Sequence, residues 1–173
     1  LEVLPTLWFR NTWSWTHDAA RPSLRADSNR TIMAAHPALG QRWLYCHDAD
    51  ELLFTENNTN CQRIYGTENF SPYVKDAFHR YLIHGEKDAV NPVGQGTKAC
   101  ARYSLTIASK TLHTLQLRLS NCGDLSVPFG NDFATNVRQR FQEAEEFYLA
   151  VTPFSMPEDV RRVQRQAYAG MLW

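Results

Sequence analysis

The sequence predicts a chain that is mainly β and then α, with a β domain first and helices last. Three observations carry this. Short stretches rich in β-branched and aromatic residues fill the first part of the chain. Residues 101–107 and 115–119 alternate apolar and polar with a period of two. After Pro128 the period changes to three and four, with Phe133, Val137, Phe141, Ala144 and Tyr148 on one helix face. Strands grouped ahead of helices argue against a doubly wound sheet, in which the two alternate.

Taken in order, Val3–Trp15 reads as strand and carries three of the five tryptophans. Gln41–Cys46 and Glu51–Thr55 are short apolar runs, joined by His47-Asp48-Ala49-Asp50, a polar connection of hairpin length. Glu56–Asn60 is polar and favours turns through side-chain-to-backbone hydrogen bonds. Ser71-Pro72 reads as a helix start, followed by Tyr73, Ala77 and Tyr81, with Gly85 as the stop. Asn91–Gly96 is a loop by composition. The alternating runs Ala101–Ile107 and Leu115–Leu119 predict an antiparallel hairpin with one buried face. Pro153 ends the helix that begins near Asn131. Ser155-Met156-Pro157-Glu158 then matches a capping box and opens a last helix, with Val160, Val163, Ala167 and Met171 as its apolar stripe.

Composition limits the function classes. The chain has 173 residues and equal numbers of basic and acidic side chains, 18 of each. That charge balance argues against a dedicated nucleic-acid binder, and Arg161-Arg162-x-x-Arg165 reads as a solvated helix face. Hydrophobic residues make up 43 % of the chain, which excludes the low-hydrophobicity signature of disorder. No apolar run approaches the roughly 20 residues that span a bilayer, and no leader is visible. The expectation is a cytoplasmic chain without a membrane partner. Cys46, Cys61, Cys100 and Cys122 are too sparse for a disulfide scaffold and read as free, buried thiols. The sequons at Asn29, Asn57 and Asn69 read as chance occurrences. The ends, Leu1 and Met171-Leu172-Trp173, look cut from a longer polypeptide.

Little of the chemistry has a recognisable motif. Gly94-x-Gly96-x-x-Ala99 matches a dinucleotide fingerprint formally, but a loop precedes it and an alternating strand follows, so no helix N-terminus would meet a phosphate. His17-Asp18 and His47-Asp48 are sequence neighbours, which on an extended chain point to opposite faces. Cys46, His47 and Asp48 lack metal-ligand spacing. No metal or cofactor is expected. The aromatic cluster Trp8, Arg10, Asn11, Trp13 and Trp15 sets flat apolar surfaces beside planar hydrogen-bonding groups. Sugar rings, with apolar faces and equatorial hydroxyls, are held by that combination. On a strand Trp13 and Trp15 would share one face. The competing reading of the same residues, favoured on residue types alone, is core or interdomain packing.

Val3–Trp15, with its Leu-Trp-Phe-Arg-Asn-Thr-Trp-Ser-Trp run, resembles a segment of bacterial glucosidases related to glycoside hydrolase family 63 and to mannosylglycerate hydrolases. The resemblance continues through Glu51–Asn57, Ser71–Arg80, Ala89–Pro92 with Gly96–Lys98, Glu145–Tyr148, and Arg165–Trp173. Thr16 departs from it, standing where a Gly is expected. The resemblance implies a longer enzyme with an N-terminal β-sandwich, a linker helix and an (α/α)6 barrel. Residues 1–128 would be the later part of the sandwich, 129–152 the linker helix, and 153–173 the start of the barrel. It also implies inverting hydrolysis by two carboxyl groups roughly 6.5–9.5 Å apart, both beyond Trp173, so that no residue here is catalytic. Arg10, Trp13 and Asn57 are the candidate substrate-binding residues near the mouth of the site. The partners would be a carbohydrate substrate and the rest of the same polypeptide. Two other readings stand beside this one: a non-catalytic carbohydrate-binding or structural module, and a complete small enzyme using acids such as Glu51, Glu56 or Asp76.

Overall fold

The computed structural model describes residues 1–15, 20–152 and 154–172. The chain divides into two compact units, Leu1–Pro128 and Phe129–Trp173. The first holds β1 (Glu2–Val3), β2 (Thr6–Trp8), β3 (Ser23–Ser28), β4 (Thr31–His36), β5 (Gly40–Cys46) and β6 (Glu51–Thr55). Two short helices follow, α1 (Cys61–Tyr65) and α2 (Ala77–Ile83), and then β7 (Gln95–Gly96), β8 (Lys98–Ser104) and β9 (Leu117–Ser120). The second unit is α3 (Asn131–Ala150) and α4 (Glu158–Leu172). A β-rich part followed by helices is therefore what the chain has.

The strands form two antiparallel sheets. In one, β8 lies between β6 and the pair β1 and β2, which follow one another along its other edge. Pro5 separates β1 from β2 and has no N–H to give, but its carbonyl still accepts the Ala101 N–H at 3.1 Å. The other sheet has the order β7-β3-β4-β5-β9. Leu24, Ile32 and Ala34 of this sheet pack against Phe54 and Ala99 of the first. Cys46 packs against Ala101 and Tyr103 in the same way. The opposite face of β6 and β8, with Leu53 and Cys100, is covered by Ala77 and Phe78 of α2 and by Ala89 and Val90. Both strands are thus buried on two sides. Removing a side chain such as Phe54, fully buried between the sheets, from water contributes about 1.5–3 kcal/mol.

The outer face of β4 and β5 has its own cover. The Tyr45 hydroxyl donates to the Cys122 carbonyl at 2.8 Å and accepts the Leu125 N–H at 3.3 Å. Gly123 lies so close to the Trp43 indole that a Cβ there would fall 2.4 Å from the ring.

Several local expectations change. Ala101–Ile107 and Leu115–Leu119 do not form a hairpin: β8 pairs with β1, β2 and β6, whereas β9 pairs with β5 in the other sheet. Alternation reports which side chains are buried, not which strand is the neighbour, and here the connection crosses between sheets. The same correction applies to Gln41–Cys46 and Glu51–Thr55. Their connection is an arch between sheets, held where the Asp50 N–H donates to the Arg102 carbonyl and the Ser104 N–H to Asp50 Oδ2. Val3–Trp15 is strand only in part, and Trp13–Trp15 lie in a turn. Helix α2 begins at Ala77 rather than at Ser71-Pro72, and Gly85 with φ +70° marks its end. Helix α1 follows the polar run 56–60, where only turns are expected, and its start is capped by a side-chain amide, Asn60 Oδ1 accepting the Arg63 N–H at 3.1 Å. Helix α4 opens at Glu158, with the Pro157 carbonyl accepting the Arg161 N–H, two residues later than a Ser155 cap would place it. Pro153, the expected helix breaker, lies outside the described residues.

Within the second unit, Arg165 pairs with Glu145 and lies 4.7 Å from the Tyr148 ring centre, and Arg162 pairs with Glu158. Val160, Val163 and Met171 are exposed. No described helix is long and apolar enough to cross a membrane.

A Cβ at Gly96 would lie 2.1 Å from the Thr55 carbonyl oxygen, so β7 runs against β6 backbone to backbone. Gly96→Ala is expected to cost about 1–3 kcal/mol, the usual range for overpacking. Gly170, with nothing within 4 Å of a Cβ, is the control, and Gly170→Ala should gain up to about 1 kcal/mol in α4. Urea melts of the two variants check this; a Gly96→Ala protein as stable as wild type would contradict the close approach of β7 to β6.

Candidate functional site

The tryptophan-rich segment leaves β2 at Trp8 and turns back on itself. The Thr12 N–H donates to the Arg10 carbonyl at 2.9 Å and the Trp15 N–H to the Thr12 carbonyl at 3.2 Å. Asn11 Oδ1 accepts the Ser14 N–H at 3.3 Å, a side-chain turn of the kind Asn favours. This loop has little core of its own. It is moored to the end of β6, where Glu56 and Asn57 continue the chain. Asn57 Nδ2 donates to the Phe9 carbonyl at 2.9 Å, and Asn11 Nδ2 donates back to the Asn57 carbonyl at 3.3 Å. The Asn57 N–H donates to Thr97 Oγ1 at 2.8 Å, and that hydroxyl donates to Glu56 Oε2 at 2.6 Å. The Phe9 ring packs on His36 at the end of β4, centroids 5.1 Å apart.

The charges around this mooring are arranged over rings. Arg21 forms an ion pair with Glu56 and stands 5.8 Å from the centre of the Trp13 ring. Arg10 stands 5.2 Å from the centre of the Trp15 ring. Cation–π contacts of this kind add about 0.5–1 kcal/mol when exposed. Trp8 and Trp15 remain 54 % and 66 % exposed. Trp13 is half-buried, and its indole nitrogen is shut off from solvent with no hydrogen-bond partner among the described residues.

The structure brings Arg10, Trp13 and Asn57 to one place, with different duties. Arg10 is an exposed cation on a Trp face, and Trp13 is a half-buried ring under a second cation. Asn57 is 4 % exposed, and its side chain is committed to the loop backbone, so it moors rather than faces solvent. Its sequon is correspondingly inaccessible. Arg21 and Thr97 were not anticipated as members of this group. Thr97 is 41 residues from Glu56, and only the Gly96–Lys98 run in the family resemblance pointed to it.

The acids weighed for a self-contained enzyme are all engaged. Glu51 accepts from Arg102 at 2.6 Å and from the Tyr81 hydroxyl at 3.1 Å. Glu56 is held by Arg21 and Thr97. Asp76 accepts from Arg63 at 3.0 Å and from Asn60 at 3.2 Å; burial raises its pKa, but these hydrogen bonds outweigh burial and hold the carboxyl below its ordinary range. His47 and Asp48, expected to point apart, are in contact, with Nδ1 3.4 Å from Oδ2, because Asp48 adopts φ +52° in the arch. Both are substantially exposed, and Asp48 also pairs with Arg30. Cys46 faces the core instead. His17-Asp18 and Thr16 lie outside the described residues. Among the described residues no three His, Cys, Asp or Glu side chains are arranged to hold a metal ion.

Two measurements check this geometry. Asn57→Ala leaves the Phe9 carbonyl without its donor, and is expected to cost about 1–3 kcal/mol and to shift tryptophan emission; unchanged stability and emission would contradict the mooring. All four cysteines are free, Cys46 and Cys100 buried and Cys61 and Cys122 partly exposed. Burial pushes the Cys46 and Cys100 thiols up to about 12. Since the thiolate is the reactive form, alkylation of the native protein at pH 8 should modify Cys61 and Cys122 readily, and Cys46 and Cys100 only on unfolding.

The chain is similar to the uncharacterized protein YMR196W of Saccharomyces cerevisiae, 32 % identical over 208 aligned residues that take in the whole of this chain and 19 % of the yeast protein. It thus spans about a fifth of the length of the curated relative it matches. No protein-family profile matches the chain. No solved structure matches it.

Proposed function

We propose that this chain is part of a glycoside hydrolase of the glucosidase type, contributing a β domain whose tryptophan loop helps to shape a sugar site. The observation that carries this reading is the loop itself. Trp15 under Arg10 and Trp13 under Arg21 set apolar faces beside forked donors, and the mooring through Asn57 and Glu56 pre-organises them before a ligand arrives. In this reading α3 is the linker helix and α4 the first helix of an (α/α)6 barrel. The acid and base of an inverting mechanism belong to other parts of the polypeptide. The location would be cytoplasmic.

A second reading is favoured by one observation. Glu51, Glu56 and Asp76 are tied up in ion pairs while Trp8 and Trp15 stay exposed, which suits a module that binds carbohydrate without cleaving it. Two results separate the readings. The longer polypeptide should hydrolyse an aryl glucoside, and Trp13→Ala within it should raise KM several-fold per folded molecule. A Trp13→Ala enzyme that loses only stability, with kinetics unchanged per folded molecule, would sink the binding role; a longer polypeptide that binds oligosaccharides without turnover would favour the module.

A further inference from the structure

We infer that the open cleft between α1 and residues 68–72 is a second subsite for a neutral oligosaccharide, holding a sugar unit beyond the one at the tryptophan loop. The inference rests on the proposed carbohydrate reading and extends it. The cleft has a volume of about 570 Å³, within the usual range of ligand pockets. Side-chain amides build it. Asn60 Oδ1 accepts from the Arg63 N–H at 3.1 Å and from Asn69 Nδ2 at 3.0 Å, and Asn69 Oδ1 accepts the Gln62 N–H at 3.1 Å. Asp76 accepts from Asn60 Nδ2 and from Arg63. Helix α1 and the 68–72 strap are thereby joined before a ligand arrives. The cleft also begins close to the mooring of the tryptophan loop. Asn60, which lines it, is three residues from Asn57, so their Cα atoms are at most about 11 Å apart.

The groups left over select the class of ligand. Arg63 and Arg80 line the cleft but are paired with Asp76 and Glu86. The Glu68 carboxylate and the Gln62 side-chain amide line it without a partner among the described residues. Ser71 Oγ accepts the Tyr73 N–H at 3.2 Å, which leaves its own O–H to donate. The cleft thus offers a carboxylate that accepts, an amide that does both, and hydroxyl and guanidinium donors. An anion would find both cations neutralised and a lone carboxylate beside it. An ammonium would suit Glu68 but leave the donors without an acceptor. Hydroxyl groups, which donate and accept, meet all of them. Phe70 stands between the lining residues Asn69 and Ser71 and is 88 % exposed. Its ring supplies the apolar surface on which a sugar face stacks.

The test is NMR of the full 173-residue chain labelled with nitrogen-15, with maltohexaose as the probe. Gln62→Ala, at an exposed position, identifies the Gln62 side-chain amide by its loss. Two results support the inference together. Maltohexaose shifts the Gln62 side-chain amide and the Phe70 backbone amide along with the Trp15 or Trp8 indole resonance. Glu68→Ala and Phe70→Ala each weaken maltohexaose binding on the order of three- to tenfold, the scale of one net hydrogen bond, while Leu112→Ala, at a 91 %-exposed residue outside the cleft, does not. If an indole resonance shifts and the Gln62 and Phe70 amides stay in place, the subsite is overturned while the carbohydrate reading of the loop stands. If the two amides shift and no indole does, the loop reading falls, and with it the place of the cleft as its extension. If nothing responds to maltohexaose, both fall. If the Gln62 and Phe70 amides instead move with protein concentration in the absence of sugar, and Phe70→Ala stops that movement, the cleft is a self-association face and the subsite is overturned.

Discussion

Double burial of β8 is the constraint on which the rest of the first unit depends. Ala99, Ala101 and Tyr103 face the second sheet, and Cys100 faces α2. A strand packed on both sides cannot slip by one residue without exchanging its two sets of side chains. That register sets everything beside it. β6 is aligned through Leu53↔Cys100 and Phe54↔Ala99, and β2 through Thr6↔Cys100 and Trp8↔Lys98. The ends of β2 and β6 are thereby delivered to neighbouring points along one strand. Trp8 and Thr55 are both paired with Lys98, so the tryptophan loop and the Glu56-Asn57 pair leave the sheet from the two sides of a single residue.

That placement explains how a loop without a core of its own is held. Thr97, one residue before β8, supplies the hydroxyl that joins Glu56 to Asn57. Asn57 then takes the backbone of the loop, and Arg21 takes the Trp13 face. The polar groups of the mooring satisfy one another, and the flat surfaces of Trp8 and Trp15 are left outward. In the proposed reading, this fixing of the loop lowers the ordering cost of binding a ligand.

The sequence is legible in some places and silent in others for physical reasons. The change of period at Pro128 and the helix over Asn131–Ala150 are local properties, and Phe133 to Tyr148 carry them openly. The polar run before α1 signals side-chain-to-backbone hydrogen bonds, which Asn60 makes, but not the helix that it caps. Strand partners are not local. Period-two alternation in 101–107 and 115–119 says that one face is buried, yet their neighbours are residues as distant as Glu2 and Leu44. The β3–β4 hairpin turns at Asn29-Arg30 within the polar run Asp27-Ser28-Asn29-Arg30, residue types that favour turns. In the candidate site, Trp13 and Arg10 stand out by type. Arg21 does not, because an arginine becomes informative only once the fold shows which ring and which carboxylate lie beside it. Asn57 stands out only by its grouping with Arg10 and Trp13; its burial and its bond to the Phe9 carbonyl, which show it as the mooring, depend on the fold.

The central claim is that a loop fixed by Glu56 and Asn57 presents tryptophan faces to a sugar. Isothermal titration calorimetry of the chain with neutral gluco-oligosaccharides tests it most directly. The account predicts saturable heat that disappears in Trp15→Ala, a substitution at a 66 %-exposed residue whose folding is checked by its urea melt. No heat with any oligosaccharide, or the same heat with Trp15→Ala, would contradict it.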